Sequence, residues 1–238
     1  MQRAVDRSRG LCQKRSMDET QIKTLSEGAA QIGIRLGPGE QALFAAYHRE
    51  LLLWNRRINL ISARSTKEIV IRHFLDSLTP APFLDKPDGT LIDLGSGGGF
   101  PGIPLRIALP GLKVTLVEAS RKKSSFLSHI LRALVLDGVQ VVRERVEILA
   151  AGEILAGSFD TLISRASFRL PELLRMASFF LTPGGQLIAM KGQDLRDEMA
   201  EAERISAATG IVFTALRDIR PPFTDSSRKI ITYNRVFG

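Results

Sequence analysis

The sequence predicts a doubly wound α/β fold with a mostly parallel, seven-stranded sheet, preceded by a helical extension. Two observations carry that prediction. From Thr90 onward, short apolar runs alternate with amphipathic helical segments, the pattern of parallel strands joined by helical crossovers. A glycine-rich loop closes the first run and opens the next helix, as in sheets that bind ligands at the carboxyl ends of their strands.

The elements follow in chain order. Residues 1–17 are polar and basic and read as a disordered tail. Asp18 is placed to cap a short helix over 18–33. Gly37-Pro38-Gly39 reads as a turn. Leu43, Phe44, Tyr47, Leu51 and Trp54 then fall at helical spacing, and 66–78 reads as another amphipathic helix. The stretch 18–88 is therefore expected to be a helical extension, with Trp54 joining it to the sheet domain at 89–238. Strands are expected at 90–94, 113–118, 139–143, 159–163, 186–190, 211–217 and 229–236, with helices near 100–109, 121–137, 146–151, 169–181 and 194–209. The last two strands have no helix between them and should pair antiparallel at the sheet edge.

Composition narrows the class. With 238 residues, 44% of them hydrophobic, the chain can bury one large core. No apolar run approaches the ~18–20 residues of a membrane span. The basic residues near the N-terminus are followed by no apolar segment, so no secretory signal is read there. A single cysteine, Cys12, excludes an internal disulfide framework and a cysteine zinc site. The expectation is a cytoplasmic protein without a metal, and no heptad pattern argues for more than a monomer. The net charge of +8 favours encounter with polyanions, nucleic acid among them.

The loop runs Asp93-Leu94-Gly95-Ser96-Gly97-Gly98-Gly99-Phe100-Pro101-Gly102. Gly97 to Gly102 matches the dinucleotide pattern G-x-G-x-x-G, so NAD and S-adenosylmethionine both fit its outline. Two acids favour S-adenosylmethionine. Asp93 would face the cationic methionine end of that cofactor, directly or through water, whereas it would repel a pyrophosphate. Glu118, at the end of the second strand, can accept from both ribose hydroxyls, a device that NAD enzymes share. Gly95 and Gly97 would let the ligand approach the backbone. The residues thus point to a methyltransferase. After the fourth strand stands Ile163-Ser164-Arg165-Ala166, where amino-methylating enzymes carry an Asn/Asp-Pro-Pro-aromatic element. The cysteines of pyrimidine C5 methylation are missing as well. A nucleophile needing neither covalent activation nor an amide clamp would suit this site.

From about Leu51 to Val236 the sequence resembles the ribosomal RNA small subunit methyltransferase G family, also called glucose-inhibited division protein B. The resemblance rests on Trp54-Asn55, Asn59-Leu60, Arg72-His73-Phe74-Leu75-Asp76-Ser77 and Ile92 through Pro104. It continues in Arg145-Val146-Glu147, Ser164-Arg165-Ala166 and Lys191-Gly192. It implies a class I S-adenosylmethionine-dependent methyltransferase fold and methylation of guanine N7 in a hairpin loop of the decoding region of 16S ribosomal RNA, as free RNA or in the small subunit. It also implies cofactor contacts at Gly95, Phe100, Val146, Glu147 and Arg165. Arg145 and Arg165 become the candidate catalytic residues, and Lys122, Lys123, Lys191 and Arg228 the candidate RNA contacts. Two other readings stay open on the residues alone: a small-molecule methyltransferase and a non-catalytic S-adenosylmethionine-binding regulator.

Overall fold

The computed structural model describes residues 17–62, 65–192 and 194–236. The tail at 1–16, with Cys12, lies outside the described residues. Met17, assigned to the tail by sequence, is buried and belongs to the core. Helix α1 spans Glu19–Gln31 and is capped by Asp18 as expected. The Asp18 carboxylate accepts from Gln21 N at 2.8 Å, and the Gln21 side chain accepts from Asp18 N at 3.0 Å. Helix α2, Pro38–Asn55, begins inside the stretch read as a turn. Pro38 takes the first helical turn, where its missing N–H is harmless, and Glu40 accepts from Gly37 N at 2.9 Å. Helix α3 is continuous over the expected range but changes winding. A π-helical turn, Val70–Leu75, lies between α-helical Thr66–Ile69 and Asp76–Leu78.

The alternating part follows as β1 Thr90–Leu94, α4 Gly102–Ala108, β2 Lys113–Val117, α5 Arg121–Leu134, β3 Val139–Val142, α6 Val146–Ala151 and β4 Phe159–Arg165. It ends with α7 Leu170–Phe180, β5 Leu181–Lys191, α8 Arg196–Thr209, β6 Ile211–Ile219 and β7 Arg228–Arg235. The seven strands form one sheet in the order β3-β2-β1-β4-β5-β7-β6. The first five are parallel, and β7 runs antiparallel to both β5 and β6. The last two strands therefore pair antiparallel as expected, but β7 is internal and only β6 lies at the edge.

Successive strand residues face opposite sides of the sheet, and the two sides have separate cores. Leu91, Leu116, Ile188 and Ile230 pack with α1 to α5. Ile92, Val117, Leu187 and Ile231 pack with residues of α6, α7 and α8. Helices α1 to α3 thus cover one face together with α4 and α5. Trp54 has the joining role expected of it, its ring centroid 5.6 Å from Phe126 on α5. The order of strand addition reverses between the parallel neighbours β1 and β4, which puts a topological switch point at their carboxyl ends. Ligands of open α/β sheets bind at such a point.

Candidate active site

The glycine loop leaves β1 at the switch point. Gly95 N and Ser96 N donate to Val117 O at 3.0 and 3.1 Å, tying the loop to β2. Gly95 and Gly97 have φ of +72° and +58°, the left-handed region where glycine is favoured. They differ in surroundings. A Cβ on Gly95 would lie 2.7 Å from the Ser167 side chain, whereas on Gly97 the nearest atom would be Gly95 O at 3.9 Å. Gly95 is required by packing; Gly97 borders open space.

Glu118 follows β2 and is 9% exposed. One carboxylate oxygen accepts from Gly97 N at 2.9 Å and the other from Ser120 N at 2.8 Å. An ionised carboxylate has about four acceptor sites, so each oxygen keeps one for a ligand hydroxyl. The adjoining cavity, about 290 Å³, is lined by Gly95, Val117, Glu118, Ala119, Glu144, Arg145, Val146, Glu147 and Phe168. Five residues singled out in the sequence thus meet at one cavity: Gly95, Glu118, Arg145, Val146 and Glu147. Val146 is buried, while Arg145 and Glu147 are exposed at the rim. Phe168 is an addition. It follows the Ser164-Arg165-Ala166 segment, where Ala166 has φ of +57°, and the sequence carried no signal for that turn. A larger cleft of about 460 Å³, lined in part by Thr90, Lys113 and Ser158, opens at the amino ends of the strands, away from the switch point.

Beside the loop, one buried carboxylate gathers two arginines. Asp76 is 1% exposed. It accepts from Arg165 Nη1 at 3.1 Å and from Arg228 Nε and Nη2 at 2.8 and 3.3 Å. Arg165 also reaches Ser77 Oγ (3.4 Å) and His73 Nδ1 (3.4 Å), and its guanidinium lies 5.0 Å from the Phe100 ring centroid. Burial holds the Arg165 pKa below its ordinary value, opposed by Asp76. Burial and then the Arg165 charge push His73 down to about 4, so its imidazole is neutral at physiological pH. In the sequence Asp76 stands within the Arg72–Ser77 motif with no role of its own, and only the fold shows it as the one acid in the buried run 74–78.

Several candidates take places other than those expected. Asp93 is fully buried under the loop, with one oxygen accepting from Gly102 N at 2.9 Å and the other making no hydrogen bond. It braces the start of α4 and, of the two contacts expected of it, direct or through water, leaves no exposed surface for the direct one. Desolvation raises its pKa to about 7. Phe100, expected against a ligand, is 4% exposed and does not line the cavity. Its ring stacks on His73 (5.1 Å) and Tyr47 (5.6 Å), because the extension supplies an aromatic seat that spacing alone does not reveal. The Tyr47 hydroxyl donates to Gly98 O and anchors the loop to α2. Lys191, expected to touch RNA, is buried instead. Its Nζ donates to Phe168 O and pairs with Glu198 at 2.8 Å, which locks β5 to α8. Lys122 and Lys123 start α5, near the Glu118 end of the cavity, with Lys122 exposed and Lys123 partly so. Among the described residues no cluster of His, Cys, Asp and Glu could hold a metal, and no helix is long and apolar enough to cross a membrane.

This sheet order, with the glycine loop at the switch point and an acid ending the second strand, defines the fold of class I S-adenosylmethionine-dependent methyltransferases. Solved structures share that fold. Geranyl diphosphate C-methyltransferase from Streptomyces coelicolor A3(2) matches with a TM-score of 0.53 at 18% identity, over 80% of this chain and 98% of that one. Fibrillarin from Aeropyrum pernix, solved with bound S-adenosyl-L-methionine, matches with a TM-score of 0.51 at 14% identity, over 61% and 66%. The model of the rRNA small subunit methyltransferase G family matches residues 40–221. The ribosomal RNA small subunit methyltransferase G of Syntrophus aciditrophicus (strain SB) is 45% identical over 214 residues, 90% of this chain and 89% of that protein. The chain belongs to the rRNA small subunit methyltransferase G family.

Proposed function

We propose that this enzyme transfers a methyl group from S-adenosylmethionine to N7 of a guanine in the decoding-region hairpin of 16S ribosomal RNA. The observation that carries the reading is the meeting of Gly95, Glu118, Arg145, Val146 and Glu147 at one cavity beside the switch point. The residues fit the cofactor. Gly97 leaves open space where a Cβ would stand, and Glu118 keeps acceptor sites for two hydroxyls. When bound, the cofactor supplies an activated methyl group on a good sulfonium leaving group.

The protein's own part is positioning. Guanine N7 has an in-plane lone pair and no proton, so no side chain has to act as base. Catalysis then requires N7 to be held in line with the methyl carbon at ~3–3.5 Å. Arg165 is fixed by Asp76 at the end of β4, and Arg228 is the more exposed member of the trio, at 34% against 14%. In this reading Arg228 and the rim residue Arg145 orient the nucleotide, while Arg165 supplies fixed positive charge behind it. The partner is 16S RNA or the small subunit, met in the cytoplasm. In this reading the active unit is one chain. We keep 18–88 as an extension and 89–238 as the methyltransferase domain.

The test is incubation with labelled S-adenosylmethionine and RNA lacking native methylation. Label should enter 16S RNA, and borohydride reduction followed by aniline should cleave the product at one guanine. Uncleaved labelled RNA would place the methyl group elsewhere. Single-turnover rates at saturating RNA and cofactor should be nearly flat between about pH 6.5 and 8.5. A tenfold rise per pH unit would reveal an essential base.

A further inference from the structure

We infer that Arg56 and Arg57, together with Arg121, Lys122 and Lys123, form one docking face for the phosphate backbone of the RNA strand leading to the cavity. The inference rests on the RNA reading above and adds the surface that the RNA meets. The five cations come from two separate stretches of chain, and the fold brings these together. Helices α2 and α5 pack antiparallel: Glu50 accepts a hydrogen bond from His129 at 2.8 Å, and the Trp54 ring lies 5.1 Å from His129 and 5.6 Å from Phe126. Moving along α2 toward its carboxyl end therefore means moving along α5 toward its start. Just past the end of α2 the chain reaches Arg56 and Arg57, and about one turn back along α5 from Phe126 lie Arg121, Lys122 and Lys123.

The loop that carries the arginine pair is held in place. Asn55 Oδ1 accepts from Leu60 N and Ile61 N at 2.8 and 2.9 Å, and its Nδ2 donates to Ile61 O at 3.1 Å. Arg56, Arg57, Arg121 and Lys122 are exposed, and Lys123 is partly so. None of the five makes an ion pair among the described residues; other exposed cations, Arg175 and Arg204 among them, are also unpaired, but the five share one border of the cavity. The sequence explains the imbalance. No Asp or Glu lies between Glu50 and Glu68, nor between Glu118 and Asp137. The face borders the cavity, because Glu118 accepts from Ser120 N, the residue that precedes α5. Uncompensated cations along one edge of a site attract a polyanion and exchange its counterions.

The test compares the intact enzyme with R56Q/R57Q/K122Q/K123Q and with a control, R175Q/R204Q, which removes exposed charge from α7 and α8. KM for unmethylated 16S RNA is measured across a salt series, with kcat and calorimetric cofactor affinity in parallel. The fourfold variant should show KM raised at least about tenfold at physiological salt. Its log KM against log salt should be flatter by roughly 0.7 for each lost phosphate contact. Its kcat and cofactor affinity should match those of the intact enzyme, and the control should behave as the intact enzyme throughout. An intact enzyme that methylates RNA, with all three proteins sharing one salt slope and one KM, would overturn the docking face and leave the RNA reading standing. An intact enzyme that transfers no methyl group to RNA would overturn both. Vesicles of phosphatidylglycerol and phosphatidylcholine form the last arm. Loss of vesicle binding in the fourfold variant with RNA KM unchanged would assign the face to anionic lipid and overturn it for RNA.

Discussion

At Glu118 both carboxylate oxygens already accept a backbone N–H, from Gly97 and from Ser120, before any ligand arrives. The residue therefore shapes the loop and, in the proposed function, also receives the ribose. Charge-assisted hydrogen bonds of this kind contribute about 1.5–3 kcal/mol each. Glu118→Ala should weaken cofactor binding by about ten- to a hundredfold in calorimetry, with the sheet still folded by circular dichroism. Unchanged affinity would remove Glu118 from the cofactor site. Gly97 makes a different demand. Its φ of +58° disfavours any side chain, and the position faces open space. Gly97→Val should therefore abolish measurable cofactor binding while leaving the thermal midpoint within a few degrees of the parent, and a variant that still bound at parental affinity would show that the ligand approaches from elsewhere.

Among the elements, those whose partners lie close in sequence were the legible ones. Each strand showed as a short apolar run, and Asp18 showed as a cap because its partner Gln21 is three residues on. The π-helical turn in α3 was not legible, since one widened turn hardly alters the apolar period over 66–78. Such turns frequently accompany functional sites, and here Asp76 follows directly after one. Lys191 and Phe100 were misplaced for a related reason. Their partners Glu198, Phe168, Tyr47 and His73 sit on other elements, and only the fold brings them into contact. Of the five cavity residues, Gly95 and Glu118 were legible because each stands just beyond the carboxyl end of a strand, a place that topology marks out, whereas Arg145, Val146 and Glu147 came from the family resemblance. The Asp76 fork gives the element-scale prediction. Removing one partner of a buried ion pair leaves the other charge uncompensated, a loss of about 3–5 kcal/mol. Asp76→Ala strands two arginines, so its urea-unfolding free energy should fall by an amount in that range, with a lower midpoint, and Asp76→Glu should recover part of it. A midpoint equal to the parent's would show that α3 is not held to the sheet by this fork.

On the scale of the whole molecule, the seam between the extension and the sheet buries two titratable groups whose effects on stability oppose each other. Asp93 titrates at about 7 in the folded protein against an ordinary 3.8, because burial penalises its carboxylate. The folded state therefore holds its proton more tightly. The stabilisation this gives is full below about pH 4 and is lost as pH rises toward 7. His73 titrates at about 4 against 6.5, because burial and Arg165 penalise its imidazolium. In that case the unfolded chain binds the extra proton, so stability grows as pH rises from about 4 to 6.5. Each effect has a limiting slope of about 1.4 kcal/mol per pH unit, and over the shared window the two largely cancel. Replacing one group should unmask the other. Relative to the parent, His73→Asn should lose stability steadily from pH 4.5 to 6.5, by up to ~1.4 kcal/mol per pH unit. Asp93→Asn should gain relative to the parent over the same range. Taking each variant's urea-unfolding free energy as a difference from the parent removes every other titrating group from the comparison. Difference curves that stay level, or that slope the same way for both variants, would mean that these two groups are not buried in the protonation states assigned here.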